Sequence, residues 1–261
     1  MAGGRKTDKF RLKEKRGIGH NCNYTSWIKT HEIPSRGRSH RLFGGEANRI
    51  HQLLSDLEFK FFLVINWCHD VIEIQEQKPL LLDETKEIAK FIGVKHPQKP
   101  FGKNEDHIMS SDFLVYFRNN ERKVFTCKYT NELTKRVMEK FSIEKEYWRI
   151  RNVQYFVVTE RQIPETLARN LKRIYSNLFW SKKMKMSDLK ILELRKMFME
   201  IYTNQNNHIE KTIEIFALKN NFTLPQTRGF FEYMILKHMV YVDLISKDFS
   251  YWKLELSFKK V

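Results

Sequence analysis

Cysteine is scarce in this 261-residue sequence, and Cys22, Cys68 and Cys127 share no C-x-x-C or Cys/His ligand spacing. That excludes a disulfide framework and an ordinary structural zinc site, and it fits a reducing compartment. Proline and glycine are also sparse, at 6 and 10 residues; with 41% hydrophobic residues, this excludes a fibrous or mostly disordered chain. No apolar run approaches the length of a membrane span. The stretch Met1 to Arg16 is basic and lacks the apolar core of a secretory signal, so the expectation is a protein that stays in the cytoplasm. Neither internal repeats nor low-complexity segments are present.

Acidic residues form the remaining shortage, 31 against 47 Lys and Arg, for a net charge of +16. The excess falls in two blocks. Residues 1–50 hold 12 basic against 4 acidic residues and residues 168–200 hold 9 against 3, whereas residues 51–167 balance at 18 and 18. Two basic blocks around a neutral middle suit a protein that grips a polyanion on both sides of a site holding carboxylates and cations. Anionic membranes and acidic proteins attract the same patches, so charge favours nucleic acid only modestly. The length suits two compact units or one large one.

The first 49 residues carry turn residues rather than periodicity, which suggests an ordered arm with short elements. From Arg49 to Trp67, Ile50, Leu53, Leu54, Leu57, Phe61, Val64 and Ile65 fall at three- and four-residue spacings, predicting one amphipathic helix. Val71–Gln77 reads as a strand, and residues 79–93 as a loop and helix capped by Asp83 or Thr85. Asp112–Arg118 and Arg122–Tyr129 read as a hairpin turning at Asn119-Asn120. A helix over residues 131–150, a buried strand over Val153–Thr159 and a helix opened by Pro164 follow. The order predicts an α/β domain with a central mixed sheet. A basic, polar stretch, Ser181–Asp188, places a domain boundary near residue 180. The mostly helical remainder, ending in strands after Met239 and over Tyr251–Phe258, has the outline of a winged helix.

If the hairpin turn centres between Asn120 and Glu121, Asp112 lies opposite Lys128. The simplest reading of that pair is a cross-strand salt bridge, worth about 1 kcal/mol or less if exposed. Glu58 falls at the edge of its helix's apolar stripe, and Glu144 in the middle of the stripe of Val137, Phe141 and Trp148. A carboxylate buried there is costly unless paired or metal-bound. Each acid could be a core-edge carboxylate held by an Arg. Together with one Lys around one small sheet, they form a set of hard oxygen donors that suits Mg²⁺ and phosphodiester hydrolysis.

Helix acid, Asp at a strand start, then Lys in the next strand resembles the PD-(D/E)-x-K core of restriction-endonuclease-like nucleases. Longer stretches are more specific: Gly17-Ile-Gly-His20, Tyr24, Trp27, Ile33-Pro-Ser-Arg-Gly-Arg-Ser-His-Arg41, Arg49-Ile-His-Gln-Leu-Leu-Ser-Asp-Leu-Glu58, Ile74-Gln-Glu-Gln-Lys-Pro-Leu80, Lys95-His-Pro97, Ser111-Asp-Phe-Leu-Val115 and Tyr147-Trp148. Together they resemble TnsA, the endonuclease family of heteromeric cut-and-paste DNA transposons, from about residue 13 to about 180.

The resemblance implies a restriction-endonuclease-like mixed sheet flanked by helices over residues 50–180, a basic arm packed on it over 1–49, and a winged-helix-like domain over 181–261 for DNA and partner contacts. It implies hydrolysis of the 5′-end strand of double-stranded transposon ends, beside a TnsB-like transposase and a TnsC-like ATPase regulator, in a prokaryotic cytoplasm at the nucleoid. Glu58, Asp112 and Lys128 would be catalytic. Two Mg²⁺ ions, replaceable by Mn²⁺, would be held by Glu58, Asp112, Glu144 and the Cys127 carbonyl. Glu76, in a matching segment, takes a supporting role. Thr126 departs from the pattern, standing where a Glu or Gln is expected, and makes a weaker ligand. Arg36, Arg38, Ser39, His40, Arg41, Lys182 and Lys183 are the DNA-contacting candidates. A non-catalytic DNA-binding adaptor and a stand-alone restriction or repair nuclease are the competing readings.

Overall fold

The computed structural model describes residues 7–32, 38–44, 47–99, 105–206 and 208–251, with the backbone of 256–257. Two compact units divide between Ile163 and Pro164. This differs from the boundary expected near residue 180, for a physical reason. Pro164 starts α5 (Glu165–Ile174), whose Leu167, Leu171 and Ile174 are buried. Asn170 on that helix donates to the carbonyls of Leu244 and Lys247 and accepts from the Phe249 N–H, tying α5 to the end of the chain.

The first unit opens with α1 (Asp8–Lys13) and a two-stranded ribbon, β1 (His40–Gly44) and β2 (Arg49–Leu53). The ribbon corrects the single helix expected over Arg49–Trp67. In β2, Arg49, His51 and Leu53 are buried while Ile50 is exposed, a period of two hidden inside apparent helical spacing. The helix, α2 (Asp56–Asn66), starts only after Ser55, whose hydroxyl accepts from the Glu58 N–H. β3 (Val71–Pro79), α3 (Leu82–Phe91), β4 (Ser110–Phe117), β5 (Arg122–Cys127), α4 (Lys135–Arg149) and β6 (Gln154–Val158) complete the unit. Neither Asp83 nor Thr85 caps α3, whose N-cap is Leu81; the Thr85 hydroxyl donates to the Leu82 carbonyl instead.

The sheet order is β3-β4-β5-β6, antiparallel except for β5 and β6, which run parallel with α4 as the crossover. It is the mixed sheet flanked by helices that the α/β class requires. One face packs Leu114 and Val124 against Ile143, Tyr147 and Trp148 of α4. The other packs Phe113 and Phe125 against Phe61 of α2.

The β4–β5 register also differs from the expected one. Phe113 faces Phe125 and Leu114 faces Val124, because Arg118, Asn119 and Asn120 all belong to the turn, with Asn120 left-handed at φ 63°. Continued by one residue, this register sets Asp112 beside Thr126, not Lys128.

In the second unit, α6 (Trp180–Lys183), α7 (Asp188–Asn204), α8 (Ile209–Asn220) and α9 (Leu224–Leu236) follow α5. Caps punctuate them: Ser187 starts α7, and Thr223 with Gln226 forms a capping box on α9. Phe198, Phe216, Phe230 and Phe231 fill the core beside Trp180, whose indole N–H donates to the Gln226 carbonyl. A boundary at residue 180 would cut this core. At Gly229 a Cβ would meet the Trp180 ring at 2.8 Å, so the glycine permits the close approach. Two-residue strands, β7 (Tyr241–Val242) and β8 (Leu256–Ser257), pair antiparallel. Tyr251, expected in the last strand, lies outside β8. Among the described residues no helix is long and apolar enough to cross a membrane.

Candidate active site

Glu58 and Asp112 come together at the end of the sheet. Glu58 is the third residue of α2 and is fixed by the helix start: its Oε1 accepts from the Ser55 hydroxyl at 2.9 Å, and its Oε2 from the Leu54 N–H at 2.9 Å. Asp112 Oδ2 accepts from the Cys127 N–H at 2.7 Å, which locks its carboxylate to the end of β5. The remaining direction of each acid is shared. Gln77 Nε2 lies 3.3 Å from Glu58 Oε2 and 3.3 Å from Asp112 Oδ1. Sequence reasoning missed Gln77 as a member of the site, because its contacts are to acids on two other elements.

Strand alternation breaks at this point. Ser111 and Phe113, two residues apart, should share a face. Instead Ser111 bonds Glu144 and Trp148 of α4, whereas Phe113 meets Phe61 of α2. Asp112 therefore emerges where the strand changes face, beside elements from both sides of the sheet.

Glu144 is buried, as its stripe position implied, but it has its own partners. Its Oε2 accepts from the Ser111 hydroxyl at 2.9 Å and the Thr126 hydroxyl at 3.0 Å. Burial, and then the charge of Asp112, push its carboxyl up to about 8. Burial and Asp112 likewise raise Glu58, and burial raises Asp112 despite its Cys127, Gln77 and Lys128 neighbours. Three acids with raised affinity for protons mark a site short of positive charge. Burial holds the Cys127 thiol well above its ordinary range, leaving only its backbone suited to ligation.

Lys128 does not form the expected cross-strand pair with Asp112. Its ammonium meets Glu132, four residues onward, at 2.7 Å. Among the described residues no group of three or more His, Cys, Asp or Glu side chains is gathered closely enough to hold an ion. The expected set of Glu58, Asp112 and Glu144 is thus a close pair, Glu58 and Asp112, with Glu144 bonded separately. Glu76 is a brace: Arg49 makes two 2.7 Å bonds to its carboxylate, His51 adds a 3.0 Å contact, and the Gln52 N–H donates at 3.1 Å. It ties the ribbon to β3.

Of the DNA-contacting candidates on the first unit, Arg36 lies outside the described residues. Arg38, Ser39 and Arg41 are exposed, while half-buried His40 stacks on Phe59 and contacts Asp56 at 2.7 Å. On the second unit Lys182 and Lys183 are exposed, and Lys183 donates to the Ser176 carbonyl.

Residues 68–160, which carry β3 to β6 and Asp112, Lys128 and Glu144, match the family model described as TnsA-like endonuclease N terminal. The Transposon Tn7 transposition protein TnsA of Escherichia coli is 37% identical over 169 residues, a stretch covering 64% of this chain. The matched stretch spans 61% of that relative's length. The stretch that carries the mixed sheet and Asp112 is thus similar to TnsA-like endonucleases.

Proposed function

We propose that this chain is the DNA endonuclease subunit of a cut-and-paste transposition system, hydrolysing the 5′-end strand at the element boundary. The observation that carries the reading is the convergence of Glu58 and Asp112, each with one oxygen directed at a single point. The donors there fit Mg²⁺, which commonly takes only one or two protein carboxylates and completes its shell with water and substrate phosphate. Glu58 and Asp112 would hold the ion with the Cys127 carbonyl, and Mn²⁺ would substitute. When bound, the ion would polarise the scissile phosphate and activate water.

The chain's own groups supply the rest. Asp112, its carboxylate anchored by the Cys127 N–H, would be a preorganised oxygen ligand for the cation. Lys128, held near the pair by Glu132, offers an ammonium to the attacking water or a phosphate oxygen. A second ion would draw on Glu144 and Thr126, whose mutual hydrogen bond it would have to break. Arg36, Arg38, Ser39, His40 and Arg41, with Lys182 and Lys183 of the helical unit, would contact backbone phosphates. That unit would act as a winged-helix-like module, with a TnsB-like transposase and a TnsC-like ATPase as partners, in the prokaryotic cytoplasm at the nucleoid.

A second reading, a DNA-binding adaptor that keeps the nuclease fold without cutting, is favoured by Thr126, which is occupied with Glu144. Strand cleavage of a transposon-end duplex separates the two readings.

A further inference from the structure

Gln77 is 2% exposed in the middle of β3, and its backbone is left-handed at φ 51°. A non-glycine residue takes this conformation only where its surroundings over-determine it, and such positions cluster at functional sites. The β3–β4 ladder pairs Glu76 with Phe113 and Lys78 with Ser111, and it skips the position between, where Gln77 would face Asp112. Four hydrogen bonds hold the residue. Its carbonyl accepts from the Trp27 N–H at 3.4 Å, its Oε1 accepts from the Ser110 hydroxyl at 3.1 Å, and its Nε2 donates to both Glu58 and Asp112.

The amide nitrogen is a neutral group carrying two partly positive hydrogens between two buried acids. Other fixed donors to Glu58 and Asp112 come from the flanks: Leu54 and Ser55 on one side, Cys127 on the other. Among the described residues only Gln77 is seen to donate to both acids. A cation held by both carboxylates would compete with this amide for their oxygens.

We propose that Gln77 is a positioning residue whose amide occupies the point between Glu58 and Asp112 in the resting protein and is displaced when a divalent cation binds there. The proposal rests on the reading of this pair as a cation site. The Ser110 hydroxyl, donating to Gln77 Oε1, helps to hold the amide in its resting position. The left-handed backbone keeps Gln77 facing Asp112 in either position.

The test is a Mn²⁺ titration of the full-length protein near pH 8, reading the midpoint by calorimetry or by the spectrum of free Mn²⁺. Gln77→Gly removes the amide while suiting the left-handed backbone. Because the ion then displaces no hydrogen bonds to the acids, the midpoint is expected to fall about tenfold. Ser110→Ala, which frees the amide without touching either acid, should shift it the same way by a smaller factor, and it carries the test if the glycine variant does not fold. An unchanged midpoint would overturn the proposal, and a raised one would make Gln77 a ligand rather than a group to be displaced. Wild-type protein that binds no Mn²⁺ would remove the cation reading itself, and this proposal with it. Wild-type binding with unshifted variants would remove only the role of Gln77.

Discussion

The Thr126 hydroxyl donates to Glu144 Oε2 at 3.0 Å, so the residue that departs from the nuclease pattern is bonded to the acid nearest to compensating for it. Both side chains are buried. Thr126→Val keeps the shape and removes the bond, which should cost about 1 to 2 kcal/mol, read as a lower melting temperature. Thr126→Gln restores a longer oxygen donor. If the short side chain limits the site, nicking per folded molecule should rise even though the larger residue strains the core. A Gln variant no faster than wild type would mean that Thr126 does not limit cleavage.

Glu58, Asp112 and Glu144 all hold protons more tightly than free carboxyls. Between the ordinary carboxylate range and about 8, the folded protein keeps protons that the unfolded chain has released. Stability without divalent ions should therefore fall as pH rises through that window. Thermal melts in chelator should show the decline, Glu58→Gln should flatten it and melt higher than wild type near pH 8, and Mg²⁺ should restore wild-type stability. A wild-type melting temperature that climbs over the same range would contradict the raised carboxyls.

Glu76 titrates in the opposite sense. Burial alone would raise it, but His51 and Arg49 outweigh burial and hold it at about 2. Its contribution is present above the ordinary carboxylate range and is lost as pH falls toward about 2. Arg49→Met leaves a buried carboxylate without its bidentate partner and should cost about 3 to 5 kcal/mol, measured by denaturant unfolding near neutral pH. Because this brace ties the ribbon to β3, proteolysis should begin within residues 38–53 in that variant. Wild-type stability in Arg49→Met would remove the brace.

Removing the charges of Arg38 and Arg41, both exposed on or beside β1, should weaken DNA binding uniformly across sequences. It should also flatten the log-affinity against log-salt slope by about 0.9 for each lost phosphate contact. An unchanged slope would take the ribbon out of the DNA-binding surface.

Much of this was legible in the chain because it depends on local pattern. The β4–β5 hairpin, α4, β6 and the burial of Glu144 follow from spacing that no tertiary contact overrides. β2 was not legible as a strand. Ile50, Leu53, Leu54 and Leu57 mimic helical spacing, and only the long-range pairing of Arg49 and His51 with Glu76 reveals the period of two. The Asp112–Lys128 pairing failed because the turn centres on Asn119 rather than between Asn120 and Glu121, which sets Thr126, two residues before Lys128, beside Asp112. Gln77 was hidden because its role depends on a left-handed backbone and on two acids from other elements. Neither leaves a mark in the local sequence.

The measurement that bears most directly on the account is strand cleavage of a transposon-end duplex with Mg²⁺ or Mn²⁺, the partner transposase present, comparing wild type with Asp112→Ala. Ion-dependent nicking of the 5′-end strand by wild type, reduced at least about a hundredfold in the variant, is the predicted result. Equal activity in the two proteins, or cleavage indifferent to the ion, would contradict the assignment of Glu58 and Asp112 as the catalytic pair.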